Sequence, residues 1–306
     1  MYYLLVGLSV LLGGVRLIFN KSYINRYGAS IRSSLWNTGL SCGIFFLLML
    51  PVNFLLSGNW LTFSPFSFLL ALLFAVVNVV CSAIAFKTME IGNLATYTLV
   101  LQMGGMVLPF LYGMFLGGDG HTWQKWVCLA LITLALVVNM SKTESRAKGS
   151  PLLLMILYAV MFLLNGSACI ILAVHGEEAY GAMAVDSTSF TLWYMILTSL
   201  LCFAVCGILR LKEGAPTPPV KRGLDFALSA GNGVFYGAAN LISLICLSHI
   251  EPSAQFPILT GGSIVVAGLV GAAFYREKIT LRFLVATVIV LAATLLLLPW
   301  GEFIGA

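Results

Sequence analysis

Asn232, Tyr236 and Asn240 recur four residues apart in an otherwise apolar stretch, flanked by Ser229 and Ser243. At about 100° per residue, these five fall within an arc of about 80° on one helix face. Such a stripe can orient a small polar molecule. It can also bond a neighbouring helix, glue that averages about 0.6 kcal/mol per contact in membrane bundles. Three stacked amide or phenol groups exceed what one neighbour readily satisfies, so a water-filled cavity is the expectation here. Thr98, Gln102, Gly105, Pro109 and Tyr112 form a second line, also within about 80°. Further faces carry Ser253, Phe256, Thr260, Ser263, Ala267 and Gly271; Tyr2, Ser9, Gly13, Arg16 and Asn20; Asn78 with Ser82; and Tyr158, Asn165 and Cys169. For any one of these residues alone, interhelical glue is the simpler reading.

Arg16 is the strong charge set well inside an apolar run, and an ionisable group there is a functional candidate able to hold an anionic group. Near the cytoplasmic end of its run it could equally snorkel to the interface, and that structural reading has the edge. No carboxylate sits at the middle of any apolar run, which weakens a mechanism based on proton exchange at a buried acid. Glu177, Glu178, Asp186 and Glu251 fall between runs, where solvated loop charge is expected. No HExxH, Walker A, GxSxG or paired-acid motif occurs, so no enzyme activity and no cofactor are expected. All seven cysteines lie within apolar runs and read as small hydrophobes. Cys202 and Cys206 share a face, but no acid or histidine stands near them to build a metal site.

These side chains need elements to hold them, and the composition specifies which. Of 306 residues, 60% are hydrophobic and 9% charged, against about a quarter charged in soluble domains. At roughly 20 residues per crossing, the chain is an all-α membrane protein; the unbroken runs disfavour a β-barrel, whose strands alternate. Apolar runs predict spans at 2–19, 34–56, 66–86, 94–116, 124–140, 151–174, 188–210, 224–247, 254–275 and 280–300. Turn residues such as Ser64-Pro65, Gly117-Gly118-Asp119-Gly120 and Gly149-Ser150-Pro151 fall between them. All but Lys125 of the 16 Lys and Arg residues lie in or near the odd-numbered connections. Basic residues stay on the cytoplasmic side, so both termini are expected outside the cytoplasm, in a multi-pass protein of the plasma (inner) membrane. The net charge of +5 then reports topology, and no nucleic-acid partner is expected; the lipid bilayer is the expected partner. Gly233 and Gly237, like Gly113 and Gly117, have the GxxxG spacing of close helix contact. Internal packing is the favoured use and a homodimer the other.

The two halves echo each other. Gln102-Met103-Gly104-Gly105-Met106-Val107 in the fourth span aligns with Leu259-Thr260-Gly261-Gly262-Ser263-Ile264 in the ninth. Five spans per half would start the second half on the opposite side of the membrane, giving ten transmembrane helices as two inverted five-helix repeats, residues 1–149 and 150–306. This pairing, with the stretch SHIEPSAQFPILTGGSIVVAGLVGAAFYREKIT from Ser248 to Thr280, resembles the EamA-like family of the drug/metabolite transporter (DMT) superfamily. Leu164-Asn165-Gly166-Ser167 is similar to that family's small-residue motif in the sixth span. Gly118-Asp119-Gly120-His121 departs from the acidic-basic cluster that Arg276-Glu277-Lys278 matches in the second half. The resemblance implies alternating access around a central cavity that admits a small-molecule substrate. Asn78, Gln102, Asn165, Asn232, Tyr236 and Asn240 would orient it, Thr260 and Ser263 would shape the opposite wall, and Arg16 is a further candidate. A membrane scaffold or accessory subunit that moves no solute is the alternative.

Overall fold

The computed structural model describes residues 1–27, 30–91, 94–140, 151–177, 180–213, 223–275 and 281–297. Among them the chain forms ten α-helices: α1 (Tyr2–Tyr27), α2 (Ile31–Ser57), α3 (Pro65–Ile91), α4 (Leu94–Phe115), α5 (Trp123–Met140), α6 (Pro151–Gly176), α7 (Ser187–Glu213), α8 (Leu224–Leu247), α9 (Pro252–Tyr275) and α10 (Leu281–Leu296). The reason is elementary: apolar runs of this length satisfy their backbone groups internally in lipid only as helices or closed barrels.

Local chemistry sets the ends. Pro65, Pro151 and Pro252 open α3, α6 and α9, at the position where a missing N–H costs nothing. Ser30 caps α2 through a reciprocal pair with Ser33, and Gly58 ends α2 with φ of 71°, a left-handed backbone that suits glycine. Asp186 caps α7 by accepting the Ser189 N–H at 2.9 Å. Pro109 and Pro257 lie inside helices as expected, and so does Pro51 in α2.

Seven helices are long and apolar enough to cross a membrane; α4, α5 and α10 carry shorter apolar stretches, Val100–Phe115, Trp123–Ala135 and Leu284–Ala293. The chain is thus a multi-pass membrane protein by length and composition. The expected spans match these helices closely, with one consequential difference. The first helix runs on to Tyr27 instead of stopping near residue 19, because polar residues such as Asn20 and Lys21 continue it past the apolar run.

Helix α1 packs on α8 and α9, α2 on α7 and α8, α3 on α6 and α7, α4 on α6 and α9, and α5 on α10. Small residues permit the closest of these approaches. A Cβ on Gly233 would fall on the backbone carbonyl of Ser41 in α2, and one on Gly237 on the Phe45 ring. The GxxxG pair of α8 is therefore spent inside the chain.

Four connections meet at one end of the bundle. Residue Thr62, between α2 and α3, donates its hydroxyl to Asp186 at 2.9 Å, between α6 and α7. Asp119, between α4 and α5, accepts the Ser253 N–H of α9 at 2.8 Å. Lys125 pairs with Glu251, which also accepts the Gly120 N–H at 3.0 Å. Asp186 and Glu251 are exposed, as expected of loop charges, and they also tie distant segments together. Glu178 lies outside the described residues.

Candidate functional site

Arg16 changes role once α1 is seen whole. It stands about 21 Å along the helix axis from Tyr2 and about 17 Å from Tyr27, at 1.5 Å per residue, so it sits near mid-helix and not in a terminal turn. Asn78 and Tyr236 lie at the midpoints of α3 and α8, and these three side chains meet. The Arg16 guanidinium lies over the Tyr236 ring, 4.0 Å from its centroid. Its Nε donates to Asn232 Oδ1 at 3.3 Å, and Asn78 Nδ2 donates to the Tyr236 hydroxyl at 3.2 Å. A charge at that depth costs about 3 kcal/mol on insertion scales. The Tyr236 ring and the Asn232 amide offset part of this cost, with no acid paired to Arg16 among the described residues.

Helix α2 supplies the second ring of contacts. Asn232 Nδ2 donates to Ser41 Oγ at 2.8 Å, Ser41 Oγ donates to the Ser229 carbonyl at 2.9 Å, and Ser229 Oγ donates to Asn37 Oδ1 at 2.8 Å. Asn37 Nδ2 reaches Asn20 Oδ1 of α1 at 3.4 Å. All of Asn37, Ser41, Ser229 and Asn232 are buried, so this chain locks α1, α2 and α8 together and holds Asn232 to receive Arg16. Sequence reasoning passed over Asn37 and Ser41. Their four-residue spacing on α2 was the available signal.

The α8 stripe therefore divides. Ser229 and Asn232 serve the α2 interface, and Ser243 accepts from the buried Gln255 of α9 at 2.9 Å. Tyr236 and Asn240 are only half-buried although they face inward, as side chains beside an open space do. Asn240 Nδ2 donates to the Tyr236 carbonyl at 2.9 Å, which leaves its side-chain oxygen available.

The other expected residues fall elsewhere. Asn165 donates to the Leu101 carbonyl at 2.7 Å and joins α6 to α4; Gly105 leaves the room this requires. Gln102 is half-buried and forms no hydrogen bond among the described residues. Ser263 donates to the Leu259 carbonyl of its own helix at 2.6 Å, and Thr260 is buried. The Thr98 side chain lies outside the described residues.

Between this cluster and the end where the four connections meet stands an apolar plug. Cys42, Phe45, Phe74, Tyr194, Phe190, Leu244, Leu247 and Phe256 form one buried cluster, with Tyr236 packed against it. Phe74 and Tyr194 rings are 4.5 Å apart, and Phe190 stacks on His175 at 3.7 Å. An open groove of about 670 Å³, lined by Thr62, Phe63, Met183 and Asp186 among others, lies at that same end and apart from the cluster.

A solved chain described as "Crystal structure of protein" superposes on this one with a TM-score of 0.76 and 12% sequence identity, over 99% of this chain and 98% of that one. At that identity the likeness is one of fold. No protein-family model matches the chain, and no curated protein matches it.

Proposed function

We propose that the chain is a secondary transporter of the EamA-like type. It would move a small polar metabolite across the plasma membrane by alternating access of two inverted five-helix repeats, with both termini outside the cytoplasm. The observation that carries this reading is the polar cluster at mid-helix depth, built by α1 and α3 of one half and α8 of the other, since transporters of duplicated design bind at the midplane between repeats. Arg16, Asn78, Tyr236 and Asn232 would face the solute, with Asn240, Gln102 and Ser263 around it.

The packing supports the duplication. Exchanging each helix with the one five places later returns the same neighbours: α1 on α8 becomes α6 on α3, α1 on α9 becomes α6 on α4, and α2 on α8 becomes α7 on α3. The aligned glycines follow suit, for Gly105 meets α6 at Asn165 and its counterpart Gly262 meets α1 at Val10. The scaffold reading draws on the other half of the data, because Asn165, Ser229, Ser41 and Gln255 all act as glue.

Thiol access separates the two. With the seven native cysteines replaced, Asn240→Cys or Ser263→Cys should react with a membrane-impermeant thiol reagent, applied in turn to right-side-out and inverted vesicles. Transport requires that water reach these positions. Complete protection from both sides, in protein that runs as a single folded species, would favour the scaffold and remove the transporter.

A further inference from the structure

The donors and acceptors of the central cluster do not balance. A guanidinium has five N–H donors and no acceptor. In Arg16, Nε is used on Asn232, while the four Nη hydrogens meet no acceptor among the described residues. The Tyr236 oxygen already accepts from Asn78, and its own O–H donates to no acceptor among the described residues. Asn232 is consumed on both sides, its oxygen by Arg16 and its amide nitrogen by Ser41. What remains for a visitor is donors and a full positive charge, on side chains that are only half-buried.

Among the described residues, no acid pairs with that charge. Asp119, Glu177, Asp186 and Glu251 sit in the connections at one end of the bundle, and Glu213 and Asp225 lie in the last and first turns of α7 and α8. The forked guanidinium matches two coplanar oxygens held by one atom, a geometry that a carboxylate offers and a halide does not.

We propose that the solute is an organic anion whose carboxylate seats against the Arg16 guanidinium and the Tyr236 hydroxyl. This rests on the transporter reading and narrows its substrate class. Asn240 and Gln102, which offer acceptors as well as donors, would then meet the uncharged part of the molecule.

The test uses the local potential. Full-length protein carrying Asn240→Cys in the cysteine-replaced background is reacted with the anionic 2-sulfonatoethyl methanethiosulfonate and the cationic 2-(trimethylammonium)ethyl methanethiosulfonate. The anionic reagent should gain most from Arg16, and Arg16→Gln should lower the anion-to-cation rate ratio about tenfold, the size expected for one charge at close range in a partly wet site. Arg16→Lys should retain most of the ratio, which guards against a variant that merely misfolds. Acetate should slow the anionic reagent, while equal concentrations of acetamide or chloride should not. An unchanged ratio in Arg16→Gln overturns the anion site while leaving the cavity and the transporter standing. Slowing by chloride as strongly as by acetate overturns the carboxylate assignment, as does no slowing by acetate. Reaction with neither reagent removes the cavity and both readings together.

Discussion

Replacing Glu251 by Gln should loosen one end of the bundle, where α5 is tied to the turn between α8 and α9. Glu251 holds two partners there, the Lys125 ammonium and the Gly120 N–H, and Lys125 also donates to the Gly120 carbonyl at 2.7 Å. The Lys125 side chain is 6% exposed and that of Glu251 49%. Breaking a fully buried pair costs about 3–5 kcal/mol and an exposed one about 0–1 kcal/mol, so this half-sheltered tie is worth about 1–2 kcal/mol. If rocking of the repeats opens that end, its open population should rise about 5- to 30-fold. The assay is the rate at which an impermeant reagent, applied in turn to each side of the membrane, labels Asn240→Cys with and without Glu251→Gln.

Acid should reproduce the effect in the parent protein. Burial pushes the Glu251 carboxyl up, but Lys125 and the Gly120 N–H outweigh it and hold the group below its ordinary value of 4.5. For a depressed carboxylate the stabilisation is whole above pH 4.5 and is lost as pH falls through the lower folded value. The Glu251→Gln protein should lack that pH dependence. Equal labelling rates and equal melting temperatures in the two proteins across this range would refute the reasoning.

Other outcomes follow from single contacts. Gly233→Leu should destabilise the protein by about 1–3 kcal/mol, because the added side chain meets the Ser41 backbone; Gly207→Ala, which meets nothing within 4 Å, should be neutral or gain up to about 1 kcal/mol of helix propensity, both read by thermal unfolding in detergent. Asp119→Ala removes the acceptor for the Ser253 N–H at the start of α9 and should cost about 0.5–2 kcal/mol, the range for lost caps, with Asp119→Asn recovering part of it. Burial, with the Asp119 charge adding, holds the Glu177 carboxyl above 4.5 against a bond from Tyr112. Ionised Glu177 therefore destabilises the fold at neutral pH, and Glu177→Gln should raise the melting temperature there, a gain that fades as pH falls through the raised folded value and is gone below 4.5.

Helix number and most boundaries were open to reading because lipid leaves the backbone few choices: a long apolar run must be a helix, and Pro, Gly and Ser mark its ends. Polar faces were equally legible, since helical periodicity places Asn232, Tyr236 and Asn240 together whatever surrounds them. The partner of each face was not. Asn165 and Asn232 look alike in sequence, yet one is spent on the Leu101 carbonyl and the other receives Arg16. Arg16 was placed at a helix end because hydropathy falls at Asn20, although the helix does not stop there.

Sequence alone therefore determined what the chain is made of: apolar helices, their turns, their polar stripes and a lopsided distribution of basic residues. These follow from local periodicity and from the cost of an unpaired backbone in lipid, which act within one segment at a time. Tertiary structure decided which stripe became glue and which stayed open, because that depends on whether a neighbouring helix offers an acceptor at bonding distance. It brought the midpoints of α1, α3 and α8 together, and so set a guanidinium beside a ring and an amide, with four of its hydrogens meeting no acceptor among the described residues. A contact between residues more than two hundred positions apart leaves no mark in the spacing of either segment.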